Sequence, residues 1–132
     1  ERRGQPSLNA AFNNKVSVLV GDYILSTCLL NASFTGNHKI IQVLSNLGRT
    51  LAAGEILQLQ NINSTEISEE AYYQVIEMKT ASLFMACSGI GALSVSASDE
   101  DVEAAKNFGR LCSLDVYNQA FPIQYGLSDG EP

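Results

Sequence analysis

The chain has 132 residues, of which 45% are hydrophobic and 17% are charged, and its formal net charge is -6. This length fits one domain or part of one, and the hydrophobic content argues against a disordered chain. The acidic balance argues against non-specific binding to nucleic acid. No uninterrupted apolar run reaches the roughly 18 residues that a membrane-spanning helix needs. We therefore predict no membrane span.

The first 14 residues are predicted to form a loop with a short turn of helix around Ala10–Phe12, because Gly4 and Pro6 stop a longer helix before it starts. The first long helix, about residues 15–34, is apolar nearly all round and is expected in the centre of the fold. The second helix, about 38–61, has one apolar face with Gly48 and Gly54 in its interior. Each glycine costs about 1 kcal/mol relative to alanine, so close packing or a ligand is expected there.

The third helix is predicted from Ser68, a suitable N-cap, to about Ala92. A fourth helix starts at Ser98, and its early acids suit the helix dipole. Strand signals are almost absent, so the pattern predicts an all-α helical bundle. Helical periodicity fades after Arg110. We therefore predict a domain over residues 1–110 and an irregular C-terminal tail over 111–132.

The cysteines are three in number and lie far apart, and the chain has one histidine. No Cys-x-x-Cys pair is present, which argues against a zinc site. Cys28, Cys87 and Cys112 each lie in an apolar stretch, which is typical of small buried side chains in a reducing compartment. Together with the lack of a signal-peptide pattern, this predicts a cytoplasmic protein.

Two cationic segments are candidates for binding an anion. The adjacent guanidiniums of Arg2 and Arg3 suit paired contacts to phosphate oxygens, although a solvated pair of charges is the simpler explanation of these two residues alone. Lys79 and Thr80 lie deep inside the third helix, where an ammonium and a hydroxyl could hold an anion. The alternative is an ordinary lysine that extends to water.

Several acidic and polar residues are further candidates for a functional site. Glu55 and Gln58 are three positions apart and share one face of the second helix, so they either point into a core or line a solvated edge. Asp22, inside the very apolar first helix, is either a satisfied core carboxylate or a carboxylate that faces a cavity. The acidic run that begins at Asp99 starts a helix, which favours dipole compensation over a metal site.

Taken together, these segments resemble the trans-isoprenyl (polyprenyl) diphosphate synthases. The resemblance covers about residues 1–110 and rests on an ordered set of short motifs, none decisive alone. They are Arg2-Arg3-Gly4-Gln5-Pro6-Ser7, Asn14-Lys15, Val18-Leu19-Val20-Gly21-Asp22-Tyr23, Gly54-Glu55 with Gln58-Leu59, and Lys79-Thr80-Ala81-Ser82-Leu83-Phe84.

The resemblance implies an all-α bundle around a deep central cavity, in an enzyme that joins isopentenyl diphosphate to an allylic diphosphate. It further implies dependence on Mg²⁺ and a homodimer. By resemblance, Arg2 would contact the allylic diphosphate and Arg3 the isopentenyl diphosphate. Lys79 and Thr80 would hold the allylic diphosphate beside the reacting carbons, as catalytic residues. Gln58 would line the cavity and bind substrate.

Departures from the family pattern concern the metal. The family's first Asp-rich motif would stand immediately before Glu1, and no Asp pair follows Phe108-Gly109 where the second is expected. No magnesium ligand is therefore recognisable, and the bundle is expected to be incomplete. We predict a central synthase fragment, part of a prenyltransferase, that is inactive by itself. The alternative is a non-catalytic helical subunit or dimerisation module related to such enzymes.

Overall fold

The computed structural model describes residues 4–62 and 68–120, with side chains as far as Asp115. Its elements are helical, which confirms the predicted all-α class. They are α1 (Leu8–Ala11), α2 (Asn14–Phe34), α3 (His38–Asn61), α4 (Glu69–Ile76), a π-helical turn (Glu77–Ala81), α5 (Ser82–Ser94) and α6 (Asp99–Ala120). The chain divides into two compact units, Glu1–Ile41 and Gln42–Pro132.

In the first unit, α2 begins at a well-formed cap and ends at a turn. The Asn13 side chain accepts a hydrogen bond from the backbone N–H of Val16 at 2.8 Å, which satisfies one of the open donors at the helix start. After the helix, Gly36 adopts a φ of +65°, a conformation that glycine reaches without steric cost. These local signals account for the position of α2 along the chain.

The side chains of α2 are not buried as its composition predicts. Ala32 is the buried residue of this helix, whereas Leu19 and Tyr23 are 58% and 74% exposed. Within the first unit the helix packs with α1, which has four residues and is too short to cover it. An apolar surface therefore extends along the helix.

By length and composition, α2 is also apolar enough to cross a membrane. It has 21 residues and a mean hydropathy of 1.4, and it is the one helix with this property in the part of the chain that the structure describes. A count of uninterrupted apolar residues misses it because Gly21, Asp22 and Ser26 break the run. Core helices of soluble proteins and signal sequences have the same character, so this property assigns no membrane to the protein.

The core of the second unit lies where α4, the π-helical turn, α5 and α6 pack together. Its buried side chains are small or aliphatic apart from one tyrosine, and they include Tyr72, Ile76, Ala81, Ala86, Leu93 and Val102. Ser68 caps α4 by accepting from the backbone N–H of Ala71, and Ser98 accepts from that of Asp101 at the start of α6. The predicted helix starts at these two serines are therefore seen in the structure.

Glycine brings α5 and α6 unusually close. A Cβ atom added to Gly109 would lie 2.6 Å from both the backbone oxygen of Phe84 and the hydroxyl of Ser88. A Cβ at Gly89 would meet Lys106 at 2.9 Å, but there the obstacle is a flexible side chain. The backbone contact at Gly109 therefore sets the spacing of the two helices.

The structure corrects the predicted end of the last helix. The sequence placed it near Arg110, followed by an irregular tail, whereas α6 runs on to Ala120. No glycine or proline occurs between Leu111 and Ala120, so nothing in the backbone forces the helix to stop. The faded periodicity reflects a change in side-chain pattern. Residues 121–132 of the expected tail lie outside the described residues.

Cysteine burial is also corrected. Cys28, Cys87 and Cys112 are free and exposed, although their apolar surroundings in the sequence predict burial. Each lies on a helix that is covered on part of its circumference, and the apolar neighbours Leu29 and Leu111 are exposed as well. An apolar sequence context therefore does not identify the covered face.

A buried hydroxyl gives a stability prediction. Ser113 on α6 is 2% exposed, and its Oγ has no hydrogen-bond partner among the described residues. Because an unsatisfied buried polar group is costly, Ser113→Ala is expected to raise the free energy of unfolding by about 1 kcal/mol. Urea denaturation would measure this against Ser45→Ala, on the exposed side of α3, which reports helix propensity alone. Equal effects of the two substitutions would contradict the prediction.

Candidate functional site

Lys79 lies in the middle of the π-helical turn Glu77–Ala81. Such turns are rare and occur mostly as single insertions within α-helices, often at functional sites. The side chain of Ser82 supports this one, because its Oγ donates a hydrogen bond to the Met78 carbonyl at 2.6 Å. The continuous third helix predicted from the sequence is thus interrupted at Lys79.

The ammonium of Lys79 points at α3. Its Nζ lies 2.8 Å from Oε2 of Glu55 and donates a hydrogen bond to Oε1 of Gln58. The Lys79 side chain is 34% exposed and that of Glu55 is 57% exposed, so this cluster lies at a surface that water reaches. Lys79 is therefore neither fully buried nor extended freely into water. Because Glu55 and Gln58 both contact it, they share one face of α3, as predicted.

Gly54 allows this approach of the two elements. A Cβ atom at Gly54 would lie 2.8 Å from Cβ of Met78 and 3.0 Å from Cγ of Lys79. The close packing expected at the glycines of α3 is therefore present at Gly54. It is absent at Gly48, where an added Cβ would meet nothing within 4 Å.

An ion pair that the sequence did not reveal joins α6 to the same turn. Nε of Arg110 donates a hydrogen bond to Oε1 of Glu77, the first residue of the π-helical turn. The partners are 33 positions apart, and no local pattern links residues at that separation. Both are about half exposed, so the pair adds little stability by itself. The pair ties the first residue of the π-helical turn to α6.

A cavity of about 250 Å³ adjoins this turn. Its walls come from α3, the turn, α5 and α6, and they are mostly apolar, with Leu47, Met78 and Met85 among them. Glu77 and Lys106 contribute charged groups to the wall. Lys79 is not among the lining residues, so the cavity and the lysine cluster are neighbouring features that share the turn.

The remaining candidates are less informative. Thr80 follows Lys79 in the turn and is half-buried, while Asp22 is exposed on α2. Arg2 and Arg3 lie outside the described residues. In the part of the chain that the structure describes, no group of three Asp, Glu, His or Cys residues could hold a metal ion. Asp101 lies in the first turn of α6, and its carboxylate accepts a hydrogen bond from the Ser98 hydroxyl.

The chemistry of this cluster suits an anion with several oxygens. The lysine ammonium has three N–H donors, and Glu55 and Gln58 engage two of them. An incoming oxyanion could take the third donor and compete for the other two. The described residues bring together no group of acids at this cluster, whereas Mg²⁺ in proteins is usually held by one or two carboxylates together with substrate phosphates and water.

Comparison with known proteins identifies the family. The polyprenyl synthetase family model matches residues 1–116. Over 109 residues the chain is 38% identical to the octaprenyl diphosphate synthase of Escherichia coli, covering 83% of this chain and 34% of that protein. It is 32% identical to the nonaprenyl diphosphate synthase of Mycobacterium tuberculosis, over 97% of this chain and 36% of that protein. The chain thus spans about a third of the length of these curated relatives.

Solved structures give the same answer for the fold. The decaprenyl diphosphate synthase of Rhodobacter capsulatus matches 94% of this chain and 40% of its own, with a TM-score of 0.88 and 33% identity. The geranylgeranyl pyrophosphate synthase of Bacteroides thetaiotaomicron matches 93% of this chain and 41% of its own, with a TM-score of 0.81 and 46% identity. The helices described above are therefore part of an isoprenoid-synthase bundle, and the chain belongs to the polyprenyl synthetase family.

Proposed function

We propose that this chain supplies part of the diphosphate-binding wall of a cytoplasmic prenyltransferase, with Lys79 as the central cation. The observation that carries the proposal is the half-buried ammonium of Lys79, held on a π-helical turn against Glu55 and Gln58 of α3. Family membership adds the substrate class. The reaction would join isopentenyl diphosphate to an allylic diphosphate within isoprenoid biosynthesis.

The role of each residue follows from charge. Diphosphate leaves an allylic carbon only when its negative charge is stabilised, and a fixed ammonium in a partly water-excluded site provides such stabilisation. Lys79 would bind a diphosphate oxygen, Thr80 would add a hydroxyl donor, and Gln58 would orient Lys79 or bind the same anion through its amide. Arg2 and Arg3 are proposed to bind the allylic and isopentenyl diphosphates, respectively.

Magnesium is the group that the family uses to neutralise the diphosphate. Since the described residues contain no cluster of metal ligands, no step of the proposed role of this chain runs through the ion. The full sequence also lacks an adjacent pair of aspartates. We therefore propose that the chain by itself does not catalyse the condensation, and that acids from another polypeptide or from further sequence would be required.

A condensation assay tests this proposal directly. The chain is incubated with isopentenyl diphosphate, an allylic diphosphate and Mg²⁺, and prenyl products are sought by chromatography. We expect no product above a protein-free blank, whereas the octaprenyl diphosphate synthase of Escherichia coli serves as the positive control. Product formed by this chain alone would contradict the inactivity.

The exposed apolar surface of α2 supports a second candidate function. Side chains such as Val18, Leu19 and Ile24 are more than half exposed, which is typical of a surface that another chain covers. The chain would then act as a non-catalytic helical subunit or as a dimerisation module, with a homodimer as one form. Sedimentation at increasing concentration distinguishes this candidate, because a monomer at all concentrations would exclude self-association.

A further inference from the structure

We propose that Glu55 acts as an internal stand-in for the diphosphate, so that its carboxylate holds Lys79 in place and restrains anion binding until a diphosphate displaces it. This inference deepens the proposed function and rests on the assignment of Lys79 as the diphosphate cation. It gives a role to Glu55, to which the proposed function above assigns none.

The geometry supports competition between Glu55 and an anion. Oε2 of Glu55 lies 2.8 Å from Nζ of Lys79, the distance of a charge-assisted hydrogen bond to an oxyanion. Carboxylate and phosphate oxygens bind an ammonium in the same way, as point-charge partners. One oxygen of a diphosphate could therefore replace Oε2 without any movement of the helices.

Exposure makes the exchange easy. The Glu55 side chain is 57% exposed, so it can rotate into water once it releases the lysine. Ion pairs at such exposure contribute little net stability, since water solvates the separated charges well. Gln58 is uncharged and also accepts a hydrogen bond from Lys79, so it can hold the ammonium in position while the charged partner changes.

The charge of Glu55 determines which anions can bind to Lys79. With Glu55 paired, the local charge is close to neutral and attracts no anion strongly. A multiply charged diphosphate outcompetes a single carboxylate, whereas a singly charged anion such as acetate gains nothing over Glu55. The cluster therefore selects for highly charged anions, and removal of the Glu55 charge relaxes that selection.

The test is a titration of the folded full chain with inorganic diphosphate, without metal and at low salt, followed by NMR chemical shifts. We expect Glu55→Gln to tighten binding about fivefold, the size of an interaction between unit charges a few ångströms apart in a water-like medium. The matched control is Glu100→Gln, which removes the same charge from the first turn of α6. This turn follows the far end of α5, and α5 extends roughly 20 Å from the π-helical turn at 1.5 Å per residue. Circular dichroism confirms that each variant is folded.

Each result decides between the two proposals. Tighter binding by Glu55→Gln alone supports the stand-in, including the case in which the wild-type chain binds too weakly to measure. Unchanged or weaker binding by Glu55→Gln overturns it, and so does an equal gain from Glu100→Gln, which would reflect net charge. If Lys79→Gln binds diphosphate as well as the wild type, the proposed function fails as well. An absence of binding in both the wild type and Glu55→Gln overturns both proposals.

Discussion

Gly109→Ala is expected to lower the free energy of unfolding by about 2–3 kcal/mol, the largest stability effect we anticipate in this chain. The added Cβ would lie 2.6 Å from the backbone oxygen of Phe84, well inside van der Waals contact. Phe84 lies in the first turn of α5, which continues directly from the π-helical turn, so its backbone oxygen can only move if this helical segment moves with it. The strain therefore outweighs the gain of about 1 kcal/mol that alanine offers over glycine in a helix.

Gly91→Ala is the matched control for this substitution. Gly91 lies in α5, and a Cβ added there would meet nothing within 4 Å. The same chemical change should therefore stabilise the chain by about 1 kcal/mol through helix propensity alone. Urea denaturation followed by circular dichroism would measure both variants. A Gly109→Ala chain as stable as Gly91→Ala would show that α5 and α6 do not depend on this close contact.

Lys79→Gln is expected to weaken binding of inorganic diphosphate at least tenfold, because a hydrogen bond to a charged group contributes about 1.5–3 kcal/mol. Glutamine removes the positive charge but keeps a polar side chain with N–H donors, so Gln58 and Glu55 should not be left facing an apolar group. An NMR titration would give the affinity, and circular dichroism would show whether the variant is folded.

Arg49→Gln provides the comparison for net charge. Arg49 is exposed on α3, nine positions before Gln58, which is about 13 Å along the helix at 1.5 Å per residue. Its substitution should leave diphosphate affinity within about twofold of the wild type, since charges separated by more than about 10 Å are largely screened at ordinary salt. Equal weakening by the two substitutions would mean that diphosphate responds to the overall charge and that Lys79 has no special role.

Several features were predictable because their causes are local. The caps at Ser68 and Ser98 place helix starts, and the apolar spacing of α3 gives a helix over the predicted range. The motif order around Lys79 correctly indicated the family. By contrast, the end of α6 was missed because a helix continues wherever the backbone allows it and tertiary packing supports it, even after the amphipathic pattern fades.

Burial was the least predictable property. The composition of α2 predicts a central helix, yet Leu19 and Tyr23 are largely exposed. A sequence shows that a helix has apolar faces, but which face is covered depends on the elements that pack against it. The same reason explains the exposed cysteines, whose apolar neighbours gave no information about packing partners.

The sequence by itself determined the helical class, the family and the identity of Lys79, Thr80, Glu55 and Gln58 as candidates, because residue type and spacing carry that information. Tertiary structure alone decided that Lys79 lies on a π-helical turn, that Glu55 already occupies its ammonium, and that Arg110 pairs with Glu77. Contacts between residues far apart in the chain depend on how the helices pack. Close approach at Gly54 and Gly109 sets that packing.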